Sequence, residues 1–361
     1  MRKIIFPLLV ALSFMGCDND DIIPEEVMKE NATPQRPLNP QNRLDKYLDK
    51  YIAGPYGIEV VYRFQDKKFI NREYPYTPTQ YDKAVEFVNV FKYLFIEPYV
   101  KITSQRFLKE HSFNTLVLLG QPAFNTDGSK NVGLAMAGTK VHLTEINNIE
   151  PNNIYWLNDN LLVTLYHENS HTLHQSVLYG TDYEKISLND YQGGNCFSYW
   201  GSTKDYLKAG FITAYSSFDH DEDFVELLAR YIVYYNASLD CGCATSDSSL
   251  DTDGDGFDDA LYTAWKAKFV NYGNTAGYES ASVWEEVLAE ANVKIRDTER
   301  YTGKEKIEQK MAIMKQYLSN TWNINLDEFR AEIRSRYPYV AGKTFDGVPV
   351  QRKDFSILND N

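Results

Sequence analysis

Apolar residues recur at helical spacing at Leu44, Tyr47, Leu48, Tyr51 and Ile52, which predicts a first helix. Ile58, Val60, Tyr62 and Phe64 alternate, so 57–64 reads as a strand. Tyr81, Val85, Val88, Phe91, Tyr93, Leu94 and Phe95 place a long helix over 80–96, ending before Pro98. Thr115 to Leu119 is a short apolar run, read as a buried strand, and 121–131 (QPAFNTDGSKN) is a turn-rich loop. Val141, Leu143 and Glu145 mark another strand, expected at a sheet edge. Beyond about residue 158 the pattern becomes helical, with candidates at 159–178, 221–236, 258–270, 281–300, 304–318 and 326–336. Strands early and helices late predict an α+β fold with a small mixed sheet and a mostly helical C-terminal half. The Gly- and Asn-rich stretch 271–277 reads as a loop that sets off a helical C-terminal subdomain, about 278–361.

The one long apolar stretch lies at the start. Arg2 and Lys3 precede an apolar run from Ile4 to Met15, as in a secretory signal. Gly16 and Cys17 follow, and this junction resembles a bacterial lipoprotein cleavage site. Residues 1–16 are then a signal peptide, and Cys17 becomes the lipidated first residue. Asp18, Asn19, Asp20 and Asp21 resemble the surface-export signal of some Gram-negative lipoproteins. Acids and prolines make 17–42 an extended tether, leaving 43–361 as the folded domain. The expected address is the outer membrane, facing outwards, with the lipid as membrane anchor. No internal apolar run approaches the roughly 20 residues of a membrane helix. With Cys17 lipidated, Cys196, Cys241 and Cys243 remain. Cys241 and Cys243 stand too close in sequence to pair easily, so any disulfide would join Cys196 to one of them, and unpaired thiols are the default.

Charge narrows the function. Lys+Arg number 37 against 50 Asp+Glu, a net charge of −13, which disfavours nucleic-acid binding. The excess is not diffuse. Residues 18–26, 219–226 and 251–259 each hold five acids and no Lys or Arg.

The second of these segments follows a metal motif. His167-Glu168-Asn169-Ser170-His171 matches H-E-x-x-H. On a helix, positions i and i+4 share a face, so both imidazoles can reach one zinc ion. Glu168 between them is placed to act as general base on a zinc-activated water. Asn158 or Asp159 is the expected cap of this helix. His174 lies seven residues beyond His167, about 10.5 Å along the axis, too far to share their metal. Its expected role is behind the ligands, supporting them. A catalytic zinc takes three protein ligands. Glu222 and Glu226 share one face of the next acidic helix. Glu222 is the expected third ligand and Glu226 the group that orients a ligating histidine. Asp223 and Glu226 compete for the ligand role.

His167 to Gln175 (HENSHTLHQ), then Glu222 to Glu226 (EDFVE), behind a lipoprotein signal, resembles the substrate import-associated zinc metallohydrolase lipoproteins. This is a zinc-binding metallopeptidase family of Gram-negative bacteria linked to outer-membrane nutrient import. The resemblance covers roughly 80–330. The motif pair is also similar to gluzincins of the anthrax lethal factor type. That similarity implies a zincin-like fold, Glu222 as zinc ligand, and Tyr215 as oxyanion donor. A peptide or protein is the implied substrate, and a nutrient-import complex the implied partner. The alternatives are a non-catalytic substrate-capture lipoprotein with a degenerate or structural zinc site, and another zinc hydrolase acting on envelope material.

Asp251-Thr252-Asp253-Gly254-Asp255-Gly256-Phe257-Asp258-Asp259 resembles a calcium loop. Asp251, Asp253, Asp255 and Asp259 would bring carboxylates and Phe257 its carbonyl. Tyr262 stands where the usual bidentate acid would be, so the Ca2+ assignment is left beside that of a solvated turn.

Overall fold

The computed structural model describes residues 42–63, 77–124, 130–131, 133–136, 139–270, 279–344 and 347–359. The signal segment, Cys17, the tether and the loop at 271–277 lie outside the described residues.

Helix α1 (Arg43–Leu48) opens with a capping box between Asn42 and Asp45 and buries Leu44, Tyr47 and Leu48. Strand β1 (Glu59–Val61) pairs in parallel with β2 (Thr115–Leu118), and β2 pairs in parallel with β6 (Lys140–Leu143). Strand β5 (Gly133–Met136) joins β6 antiparallel, giving the order β1-β2-β6-β5. Val60, Leu116 and Val141 share one row across the sheet. The 121–131 segment is not all loop, since β3 (Ala123–Phe124) and β4 (Lys130–Asn131) form a small antiparallel ribbon. Strand β6 is interior rather than at the edge. Val141, His142 and Leu143 are all buried, as expected where both faces of a strand are covered. Glu145 lies beyond the strand at φ +67°.

Helix α2 (Tyr81–Phe91) does not stop before Pro98. It continues through a π-turn (Lys92–Ile96) into α3 (Glu97–Ile102). Pro98 has no N–H to offer the carbonyls behind it. The Tyr166 hydroxyl donates to the carbonyl of Leu94, and the Arg336 guanidinium donates to that of Tyr93. Both carbonyls are thus satisfied from elsewhere, and the helix can pass through.

The motif helix α4 (Val163–Ser176) extends a helical stretch that begins at Ile154. Its cap is Asn153, whose side chain accepts from Tyr155 N and Trp156 N, rather than Asn158 or Asp159. Asn158 is instead buried within the helix and accepts from the Tyr337 hydroxyl. Helix α5 (His220–Val233) packs directly on α4. The acidic loop leads into α6 (Asp259–Trp265), whose cap is Asp258. The expected 281–300 helix shrinks to α7 (Trp284–Glu290), after which the chain turns. Then come α8 (Gly303–Trp322), with a Thr302–Glu305 capping box, and α9 (Leu326–Arg334). A Cβ on Gly303 would fall 1.8 Å from the carbonyl oxygen of Leu207, so only glycine lets α8 start this close to that turn.

Ile307, Met311, Met314 and Leu318 of α8, with Phe329 and Ile333 of α9, lie in the same buried cluster as Leu165 of α4 and Phe224 of α5. A smaller cluster forms around Tyr235, Phe257, Trp265 and Val283. The fold is α+β, with a small mixed sheet and a predominantly helical remainder. Among the described residues, no helix is long and apolar enough to cross a membrane.

One cysteine expectation is corrected. Cys241 and Cys243 are disulfide-bonded to each other, and Cys196 is free and buried. Gly242 between them adopts φ +67°, so the chain curls back within a single residue.

Candidate metal centre

Helix α4 presents His167 and His171 on one face, one turn apart. Helix α5 brings Glu222 against them. Its first turn is fixed by Asp219, whose carboxylate accepts from the N–H groups of Asp221 and Glu222, each at 2.9 Å. The far end of α5 is also held. Arg330 donates to the carbonyls of Tyr231 (2.8 Å) and Tyr234 (2.6 Å), groups that lack partners within the helix.

Three ligand atoms converge between the helices. His167 Nε2 lies 3.2 Å from His171 Nε2 and 3.2 Å from Glu222 Oε2, and His171 Nε2 lies 3.6 Å from the same oxygen. Atoms about 2.0–2.1 Å from a tetrahedral zinc stand about 3.3 Å apart. The triangle has the size that zinc requires.

Tautomers sharpen the fit. His167 Nδ1 is 3.0 Å from Glu226 Oε1, an acceptor, so the ring proton sits there and Nε2 presents a lone pair. His171 Nδ1 is 2.9 Å from His174 Nε2. With the proton on His171 Nδ1, its Nε2 is also a lone pair. Glu222 Oε2 is buried with no hydrogen-bond partner among the described residues. Three acceptors pointed at one place need a positive charge between them. The electrostatics agree. Burial alone would lower the pKa of His167, but the Glu222 and Glu226 carboxylates beside it prevail and it is pushed up to about 10. Burial would raise the Glu222 carboxyl, yet the two histidines hold it well below the usual range. Without a cation, the acids draw a proton onto the imidazole instead.

The other candidate residues fall into definite places. Glu168 has a carboxylate oxygen within 4.8 Å of a ring nitrogen of each of His167 and His171. Its Oε2 is buried without a hydrogen-bond partner among the described residues, and burial raises its pKa. Tyr215 lies in a short 3-10 turn, its ring 6.2 Å from that of His167. Burial and then the Glu222 charge push its phenol pKa upwards. His174 is buried behind His171 and lies 3.5 Å from Asp221. Asp223 faces away from the triangle and pairs with Lys310 at 2.7 Å. Glu226 reaches only the far nitrogen of His167. Its other oxygen takes Thr213 Oγ1 (3.0 Å) and Arg230 Nε (3.3 Å). Neither Thr213 nor Arg230 figured in the sequence reading. For Arg230, its i,i+4 spacing from Glu226 is a usable signal; Thr213 has none.

The acidic loop is a separate cluster. Carboxylate oxygens of Asp251, Asp253 and Asp255 lie within 4.8 Å of one another. Asp251 accepts from the N–H groups of Gly254, Asp255 and Gly256. Asp259 is turned towards Thr252, and the Phe257 ring is buried in the smaller core.

Paired histidines and a glutamate on two packed helices are the donor set of a zinc hydrolase. The chain belongs to the family described as "Putative zinc-binding metallo-peptidase", which matches residues 38–327. Its fold is similar to the crystal structure of a protein given that same description from Bacteroides caccae. The TM-score is 0.56 at 22% sequence identity, covering 84% of this chain and 95% of that one. No curated protein matches the chain.

Proposed function

We propose that this protein is a zinc-dependent peptidase held at the outer membrane by lipid on Cys17. The observation that carries the reading is the triangle of His167 Nε2, His171 Nε2 and Glu222 Oε2, with sides of 3.2, 3.2 and 3.6 Å. His167, His171 and Glu222 would hold the ion. Zinc there supplies Lewis acidity and an acidified water. Glu168 takes the proton of the attacking water and passes it to the leaving amine. The Tyr215 hydroxyl donates a hydrogen bond to the oxyanion as the carbonyl becomes tetrahedral. Glu226 and His174 keep the two imidazoles turned with Nε2 inward. Peptides or proteins are the substrates, and work beside a nutrient-import complex is the cellular setting.

Purified protein should contain about one zinc and cleave members of an unbiased peptide library in a chelator-sensitive way. Glu168→Gln should keep the zinc and lose at least about a hundredfold in rate. Full activity in that variant would remove Glu168 from the base role. Cys17→Ala should release the protein from the membrane fraction.

A further inference from the structure

Phe197 carries an exposed ring beside the metal centre. It sits on the short helix Cys196–Trp200 and is 64% exposed, although Cys196 before it is buried. Its ring lies nearly parallel to that of Tyr215, at 9° and 5.9 Å between centroids. Phe218, 38% exposed, packs on the same Tyr215 ring, also at 5.9 Å. Tyr215 in turn stacks on His167 at 27°. Backbone bonds from Gln192 N to Ser217 O and from Gly193 N to Phe218 O tie the two segments together.

A single exposed phenylalanine is ordinary on a protein surface. Here two exposed rings share one inner ring, and that ring lies against a metal-centre histidine. The aromatic series runs without a break from solvent to the triangle. An extended peptide advances roughly 3.3 Å per residue, so residues close to a bond held at the triangle reach Phe197.

Resting on the peptidase reading above, we infer that Phe197 and Phe218 form a subsite for an aromatic or bulky aliphatic substrate side chain beside the scissile bond. Phe197 is then a specificity-determining residue. A ring laid on it in offset contact gains about three- to tenfold in affinity over a substrate without one.

The test is a titration of the full zinc-loaded chain with N-acetyl hydroxamates of glycine, phenylalanine and glutamate, which bind through the metal and require no turnover. The phenylalanine probe should bind roughly three- to tenfold more tightly than the glycine probe, and the glutamate probe no better than glycine. Phe197→Ala should erase that preference with zinc content unchanged, and Phe197→Tyr should keep it. An equal preference in wild type and Phe197→Ala overturns the inference. So does a zinc-loaded protein that binds none of the probes. Cleavage of a peptide library is scored separately. A protein that ranks the probes as expected but cleaves nothing supports the subsite and refutes the peptidase reading.

Discussion

Lys310→Met should be among the most damaging single changes in this protein, although Lys310 touches neither substrate nor metal. Its Nζ lies 2.7 Å from Asp223 Oδ2, with side chains 0% and 1% exposed. It also donates to the carbonyl of Gly210 at 2.7 Å and lies 4.3 Å from the centre of the Phe211 ring. Burial raises the Asp223 carboxyl to about 6 even with the lysine present, and burial lowers the lysine. Both shifts say that desolvation outweighs attraction, so the pair as a whole adds little stability. Losing one partner is different. The methionine fills similar space but leaves Asp223 with the Tyr191 hydroxyl at 3.0 Å as its remaining partner of the pair's site. Breaking such a pair costs about 3–5 kcal/mol. Asp223 adjoins Glu222 on α5, so zinc affinity should fall as well. The double variant Lys310→Met/Asp223→Leu should recover most of the stability, because neither charge is then stranded. Urea unfolding of the three proteins at pH 7 measures both numbers. A single-variant loss below about 1 kcal/mol, or a double variant no better than the single, would refute the reasoning.

Three further outcomes are expected. Glu226→Gln removes the charged acceptor behind His167 and should weaken zinc binding about 10- to 100-fold by competition with a chromophoric chelator. His142, buried in β6, has its pKa lowered by burial to about 4 against 6.5 when unfolded. The folded state therefore binds fewer protons, and stability is lost as pH falls from about 6.5 to about 4. That loss is about 2–3 kcal/mol at pH 4.5, and His142→Gln should lack it when wild type and variant are unfolded in urea at pH 7 and pH 4.5. For the 251–259 loop, thermal melts with and without calcium separate its two readings: a calcium site stabilises the chain by about 1.4 kcal/mol at ten times its Kd and loses that gain in Asp253→Asn, whereas an unmoved Tm leaves a solvated turn.

Which residues share a helix face was legible in the sequence, because i,i+4 spacing fixes a face whatever the helix packs on. That holds for His167 with His171 and for Glu222 with Glu226. The α+β class was legible for a similar reason, since a change of periodicity along the chain needs no tertiary knowledge. What packing decides was not. Asp223 competes with Glu222 for the ligand role in the sequence, and Lys310, distant along the chain, is what takes its charge. The capping of the motif helix was misplaced because its apolar pattern starts near residue 159 while its hydrogen-bonded turns start at Ile154. The Cys241–Cys243 bond was judged unfavourable because a positive φ at Gly242 cannot be read from the residue's identity alone. Pro98 was read as a stop because its effect depends on whether other groups satisfy the carbonyls it leaves, and Tyr166 and Arg336 both come from elsewhere in the chain.

That last arrangement changes how the protein should be engineered. Replacing proline within a helix by alanine ordinarily recovers about 3 kcal/mol. At position 98 the repair would bring a new N–H to carbonyls already occupied, and would set it against the hydroxyl of Tyr166, the residue immediately before His167. The proline works as a socket that indexes the metal-bearing helix to its neighbour. A substitution that looks like an improvement in helix propensity would loosen the alignment of the residues that meet at the ion.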